Sequence, residues 1–354
     1  MERFYDHAKN EIRWPSTASE LQSPSYGYEW FSACAEALCS DKQQHIVSVT
    51  GNDRFQAVAP LCVKRKKGVA WLEIMGVAEL HEPGGLIYTN PDSLTALCRS
   101  ILKEGKPTQL GRLPEDDPSV ESFQKLARKR GLVLNIPNSG SPYIEIDCSW
   151  EDYFASLSSR RRQDYRRARR RLADQGEVSV DIHRPDQAQL QPLLEEAFRV
   201  EQANWKGRNN SAINCRPELK RFFSAYFRQL SDSGRLIISS LRLDGEMIAV
   251  QLLVEHANRW WILKIGYDER WAKYSPGMQL MFETLSEAFE RKLTAFELLG
   301  TEESWINIWP HKTHRFITIV YFPYNLTGLG ALFVEAASKL LTRLGNIGIL
   351  RKST

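Results

Sequence analysis

The sequence predicts an α/β protein with a mixed sheet, built as two halves of similar element order. Three observations carry this. The chain has 354 residues, more than one ordinary hydrophobic core accommodates, which suggests two domains. Residues 1–150 and 177–324 each read as helices flanking a run of three short strands, followed by a helix and a strand. The stretch from Trp260 to Trp309 reads as a strand, a capped helix and a second strand.

In the first half, Tyr26–Leu38 is a predicted helix with Trp30, Phe31, Cys34 and Leu38 on one face. Strand-like runs follow at His45–Thr50, Phe55–Lys64 and Val69–Met75. They are separated by Asn52-Asp53 and a basic turn at 64–68, so an antiparallel meander is expected. After Pro83-Gly84-Gly85 come a helix at Pro91–Glu104, a strand at Gln109–Leu113 and a helix at Val120–Arg130. Strands are then expected at Leu132–Ile136 and Tyr143–Ile146. A single helix is predicted over Asp152–Leu172, starting at 147–149, with Phe154, Leu157 and Leu172 as its apolar residues.

The second half opens with a strand at Val178–Ile182 and helices at Asp186–Gln202 and Pro217–Ser231, joined by a loop, Asn204–Asn214. Leu236–Leu243 and Met247–Glu255 flank Asp244-Gly245, a strong hairpin signal. Trp260–Gly266 is the third meander strand. In Ser275-Pro276-Gly277, serine suits an N-cap and proline the first helical position. The helix that follows places Met278, Met281, Leu285, Ala288 and Phe289 on one face. Gly277 lets a ligand approach the backbone, so the amides of Gly277, Met278 and Gln279 form a candidate anion site. An ordinary capped helix fits the same residues. A strand at Leu293–Leu299, a helical piece at Glu302–Trp309 and a strand at Arg315–Phe322 complete the half. Leu329–Leu344 is an amphipathic helix with Leu332, Phe333, Ala336, Leu340 and Leu344 on one side, expected to pack on the body. Its basic residues also suit peripheral membrane contact.

Net charge is +4, too mild to require a DNA partner. Cysteines at 34, 39, 62, 98, 148 and 215 show no zinc spacing, so no metal site is expected. The charged N-terminus is unlike a signal peptide, and no apolar run is long enough to span a bilayer. A cytoplasmic location follows as the expectation, with contact at the inner face of the membrane as a variant. Eight arginines fall between Arg160 and Arg171. A solvated helix bridging two domains is one reading. A phosphate-binding surface is the other, and the density favours it, because like charges at i,i+4 repel. Arg166 and Arg170 are such a pair.

Five segments carry a resemblance. They are RRARRRLADQG (166–176), EQANWKGRNNSAI (201–213), LRLDGEMIAVQ (241–251), GYDERWAKYSPG (266–277) and FELLGTEESWINIW (296–309). In this order they resemble the bacterial GNAT-type acetyltransferases associated with cellulose biosynthesis, which look like tandem-GNAT relatives of the Fem-type aminoacyltransferases. The chain departs from that pattern in having Asn210 where glycine is common. It also has Trp305-Ile306-Asn307-Ile308-Trp309 in place of Tyr-Lys-x-x-Trp.

The resemblance implies two tandem GNAT-like domains facing a cleft. Their expected extents are a degenerate copy at 1–150, an arginine-rich linker helix at 151–176, the acyltransferase domain at 177–325 and a C-terminal helix and tail at 326–354. It implies acyl-CoA as co-substrate rather than a permanently bound cofactor. An amine acceptor is implied too, such as an amino sugar or an envelope or exopolysaccharide precursor. Pyrophosphate would lie at Ser275, Pro276, Gly277, Met278 and Gln279, and the thioester beside Ile265 and Gly266. The acceptor must lose a proton to attack, and the leaving thiolate must gain one. Tyr267 is the candidate acid; Asp268, Glu201 and Glu302 are candidate catalytic carboxylates. Asp268 suits a loop cap equally well, and Tyr267 a rim aromatic. Trp205, Lys206, Arg208, Arg166 and Arg170 are candidate substrate-binding residues. His311 and His314 read as solvent-facing. Two alternatives stand: a tRNA-dependent aminoacyltransferase of Fem type, and a non-catalytic binding module.

Overall fold

A computed structural model describes residues 14–40, 43–51, 54–203, 212–301 and 303–350, with side chains to residue 338. In chain order its elements are α1 (Tyr28–Ala37), β1 (Gln44–Gly51), β2 (Arg54–Lys66), β3 (Val69–Ile74), α2 (Val77–Leu80), β4 (Ile87–Tyr88), α3 (Pro91–Lys103), β5 (Thr108–Pro114), α4 (Pro118–Ala127) and β6 (Gly131–Glu145). There follow α5 (Trp150–Ser156), α6 (Ser159–Ala173), β7 (Val178–His183), α7 (Gln187–Gln202), α8 (Pro217–Asp232), β8 (Leu236–Leu243), β9 (Glu246–His256), β10 (Arg259–Tyr267), α9 (Pro276–Glu290), β11 (Ala295–Glu297), β12 (Lys312–Pro323) and α10 (Leu326–Leu350). The chain forms two compact units. One comprises residues 1–21, 39–138 and 316–354, the other residues 22–38 and 139–315.

The first unit holds a mixed sheet. β1, β2 and β3 form the antiparallel meander, β4 adds to β2, β3 pairs β5 in parallel, and β5 pairs β12 antiparallel. Helix α3 follows the meander and starts at Asn90-Pro91. The Asn90 side chain accepts from the Ser93 amide at 2.9 Å, in a reciprocal capping box. The start of α10 packs Ala331 and Leu332 against Trp71, Val320 and Phe322. Phe333, expected on the packing face, points outward instead and is 76% exposed. The apolar stripe of this helix is wider than the face it buries, and periodicity cannot tell which part meets the core.

The second unit also holds a mixed sheet. β7, β8, β9 and β10 are antiparallel neighbours, β10 pairs β11 in parallel, and β11 pairs residues 143–145 of β6 antiparallel. Helix α9 buries Met281, Leu285, Ala288 and Phe289 in a core shared with Trp260, Ile262 and Phe296, the apolar face read from its spacing. Helices α7 and α8 also pack on this sheet. Helix α1 docks on α8, with Trp30 edge-on to Phe222 and Tyr226 at 4.9 and 5.1 Å between ring centroids, and Glu29 paired to Arg235.

Four local expectations are corrected. The single helix over 152–172 is two. Leu157 is extended and buried, and Ser158 caps a new helix by accepting from the Arg161 amide at 3.3 Å. The two strands at 132–136 and 143–146 are one, β6, which runs on through Pro137, Gly140 and Pro142. β11 is only three residues long, because Lys292 and Leu299 on either side adopt left-handed conformations. His314 is not solvent-facing: its Nε2 lies 3.0 Å from Glu297 Oε2. The separator Asn52-Asp53 lies outside the described residues.

Candidate functional site

The site is assembled where β10 ends and α9 begins. β10 is apolar and tryptophan-rich because both of its faces are covered; Trp260 and Trp261 are fully buried. Its ladder to β9 shifts register between Ile262 and Lys264, which leaves Leu263 as the extra residue of a β-bulge. Its parallel ladder to β11 covers only Arg259, Trp260 and Trp261. From Ile262 to Tyr267 the strand therefore pairs in the sheet with β9 alone among the described residues. β10 thus outruns β11 over the stretch that contains Ile265 and Gly266, the residues expected beside a thioester.

Gly266 answers a packing need. A Cβ added there would stand 2.5 Å from the Glu201 Cα, so the last turn of α7 lies directly on the strand. Glu201 is 2% exposed, and its Oε2 accepts from the Ile213 amide at 3.0 Å. This carboxylate fixes the chain on the far side of the 204–211 segment. Trp205, Lys206 and Arg208, expected to bind substrate, lie outside the described residues, as does Glu302.

After β10 the chain makes two turns of 3₁₀ helix, Glu269–Tyr274, and enters α9 directly. Asp268 caps that turn. Its Oδ1 accepts from the Arg270 amide at 2.9 Å, and its Oδ2 accepts from the Arg270 guanidinium at 2.6 and 2.9 Å. Burial pushes the Asp268 carboxyl up, but the hydrogen bonds and charge of Arg270 outweigh it and hold the group below the usual carboxylate range. A carboxylate so held is a weak base.

Ser275 does not cap α9 with its side chain. It adopts a left-handed conformation with φ of 54°, because its own amide closes the preceding turn on the Ala272 carbonyl at 2.9 Å. Its carbonyl accepts from the Gln279 amide at 3.1 Å, so that amide is satisfied within the helix. The buried Gln279 side chain donates to the Tyr274 carbonyl at 2.8 Å and locks the entry. Pro276 has no N–H. The amides of Gly277 and Met278 remain, and neither has an acceptor among the described residues. Two unpartnered amides at the start of a 15-residue helix, backed by the aligned peptide dipoles, are able to receive an anion. In the first unit, α3 also starts at a proline, but there the Asn90 side chain takes the Ser93 amide. Tyr267 borders the α9 start: a Cβ on Gly277 would lie 3.3 Å from its ring. The strand end, Tyr267 and the two amides are thus one surface.

The arginines divide by partner. Arg160 and Arg167 pair with Asp164, and Arg169 pairs with Glu283 on α9 at 3.3 Å. Arg162 donates to the Ala155 and Leu157 carbonyls. Arg166 and Arg170 have no carboxylate partner among the described residues, and both line an open groove of about 690 Å³ with residues of α5, α6 and α9.

One polar cluster has no single-sequence signal. Glu297, on β11, is fully buried and accepts from Arg259 Nη1 at 2.7 Å. His314 meets the same carboxylate and stacks on Tyr143 with centroids 4.1 Å apart. Its members come from four strands far apart in sequence, and only sheet register brings them together. Among the described residues, no group of three His, Cys, Asp or Glu side chains could hold a metal, and no helix is long and apolar enough to cross a membrane.

Residues 159–312 match the family model of the acetyltransferase (GNAT) domain. This span contains β10, the α9 start and every described candidate residue. No sequence among curated proteins matches the chain. Among solved structures, FemX is similar over 90% of this chain and 97% of its own, with a TM-score of 0.57 and 14% identity. L-PGS from Bacillus licheniformis is similar over 86% of this chain and 90% of its own, with a TM-score of 0.53 and 12% identity. A conserved protein of unknown function from Bacteroides thetaiotaomicron gives a TM-score of 0.58 over 90% and 97%, at 11% identity. At these identities the likeness concerns the fold.

Proposed function

We propose that the chain is an N-acyltransferase that moves an acyl group from a coenzyme A thioester to an amine. The observation that carries this reading is the pair of unpartnered amides at Gly277 and Met278, set beside the end of β10 that runs on past β11 within the GNAT match. The donor's pyrophosphate takes the two amides, and its thioester lies along Ile265 and Gly266, where backbone N–H groups polarise the carbonyl. The acceptor nitrogen attacks as the neutral amine. Tyr267, at the junction of strand and helix, protonates the departing thiolate, and the proton that the nitrogen sheds on forming the amide returns through water to the Tyr267 phenolate. Asp268 and Glu201 are positioning residues in this scheme, because Arg270 and the Ile213 amide already occupy their oxygens. Trp205, Lys206 and Arg208 contact the acceptor. The resemblance to the cellulose-associated acetyltransferases favours an amino sugar or an envelope or exopolysaccharide precursor.

A second reading, transfer of an aminoacyl group from tRNA, draws on the FemX likeness and on the arginine density of α6. Native mass spectrometry of freshly purified protein, with calorimetric titration of acetyl-CoA, separates the two. Co-purified coenzyme A or a measurable heat supports the CoA reading. Folded protein with neither overturns it.

A further inference from the structure

Beyond the α9 start, a second surface is built to hold a ligand. The groove between α5, α6 and α9 has a floor of half-buried rings, Trp150, Phe154 and Tyr165, above buried Phe282. Tyr165 and Phe282 lie 4.0 Å apart between centroids, Phe154 and Phe282 5.8 Å, and Trp150 and Phe154 5.7 Å. The rings touch in series, tilted at Trp150–Phe154 and Tyr165–Phe282 and edge-on at Phe154–Phe282, and form a continuous aromatic floor with separate ring faces. The one carboxylate on the groove, Glu283, is already engaged: it accepts from Tyr165 Oη at 2.7 Å and pairs with Arg169. Arg166 and Arg170 are left as two exposed guanidinium groups one turn apart, repelling each other, with no carboxylate to offset them. Arg166 lies over the Phe154 ring, its Cζ 5.8 Å from the centroid.

We propose that this groove binds a nucleoside phosphate. The base stacks on the Trp150–Phe154 platform, and the phosphate bridges Arg166 and Arg170. Two forks on one helix face match a phosphate bidentately, and a half-buried ring takes any base by its face. The volume is in the range of sites for ligands of that size. Phe282 and Ser286 lie five and nine residues beyond Gly277 along α9, or about 8 and 14 Å. The groove is therefore separate from the amides at the helix start, and its occupancy does not depend on the acyl-transfer reading. The same chemistry is offered by a free nucleotide and by a single-stranded RNA, and the test distinguishes them.

The test is fluorescence anisotropy of a labelled eight-nucleotide single-stranded RNA, competed by adenosine monophosphate, by linear polyphosphate and by phosphatidylglycerol vesicles. Three proteins are compared: wild type, Arg166→Gln/Arg170→Gln and Phe154→Leu. The arginine variant should bind at least tenfold more weakly, and its log–log salt slope should fall by about 0.7, one single-strand phosphate's worth. Phe154→Leu should weaken binding at least fivefold, the low end of base stacking, with the salt slope kept. Equal competition by adenosine monophosphate and unlabelled RNA, per binding site, assigns the groove to a free nucleotide; RNA far ahead assigns it to a strand. Polyphosphate competing as well as RNA, with Phe154→Leu at wild-type affinity, overturns the proposal in favour of a charged surface. Binding to vesicles but to neither nucleotide nor RNA also overturns it. Should Phe154→Leu fail to fold, an unchanged salt slope in the exposed arginine variant is enough to refute the assignment.

Discussion

Replacing Gly277 isolates the anion site from the fold, because its backbone is helical and needs no left-handed freedom. An added Cβ meets only the Tyr267 ring, at 3.3 Å from Cδ1, with no backbone atom close by. The ring must give by a few tenths of an ångström, while alanine or leucine gains up to about 1 kcal/mol of helix propensity over glycine. The two effects oppose each other, so Gly277→Ala and Gly277→Leu should melt within a few degrees of wild type. Donor binding should respond differently. A hydrogen bond to a charged partner contributes about 1.5–3 kcal/mol, so loss of one amide–pyrophosphate contact weakens binding roughly 12- to 160-fold. Alanine should fall near the low end. Leucine, whose branch covers both amides, should fall near or beyond the high end. Calorimetric titration of acetyl-CoA beside thermal melts reads both quantities. A folded Gly277→Leu protein that binds acetyl-CoA like wild type would refute the assignment of the α9 start.

Three further outcomes follow from the same geometry. Gly266→Ala should lose roughly 1–3 kcal/mol in urea titration, because its Cβ would meet the Glu201 backbone at 2.5 Å and force β10 and α7 apart; an unshifted midpoint would contradict that packing. The Asp268 carboxyl has a folded pKa below its unfolded one, so its stabilisation is present above the unfolded value and fades as pH falls through the folded value. Asp268→Asn should therefore flatten the acid limb of melting temperature against pH, and parallel limbs would show that Arg270 does not hold it. Glu297→Ala should cost about 3 kcal/mol, the low end for a broken buried pair because Arg259 and His314 keep some water contact; a melting temperature within a degree of wild type would exclude the pairing.

Much of the second unit was legible from local rules. The Asp244-Gly245 hairpin, the apolar face of α9 and the Pro276 helix start depend on contacts within a turn or two, which residue order specifies directly. The two-helix break at Leu157-Ser158 could have been read from the paired serines there, but the arginine periodicity beyond them runs on and hides it. Ser275 shows how a local rule fails. Its side chain is a good cap, yet the turn before it consumes its amide and sets its backbone left-handed, and this is what leaves the Gly277 and Met278 amides without a cap. The sequence by itself determined the α/β class, the meander in each half and the helix start at Pro276, because hydrophobic period and turn chemistry are short-range. The tertiary structure alone decided where β10 parts from β11, which arginines of α6 line the groove, and that Glu297 meets Arg259 and His314. Each of these depends on register between strands, or packing between helices, that are distant in the chain. One residue of slip in a strand would reverse which side chains meet, and no local pattern encodes that choice.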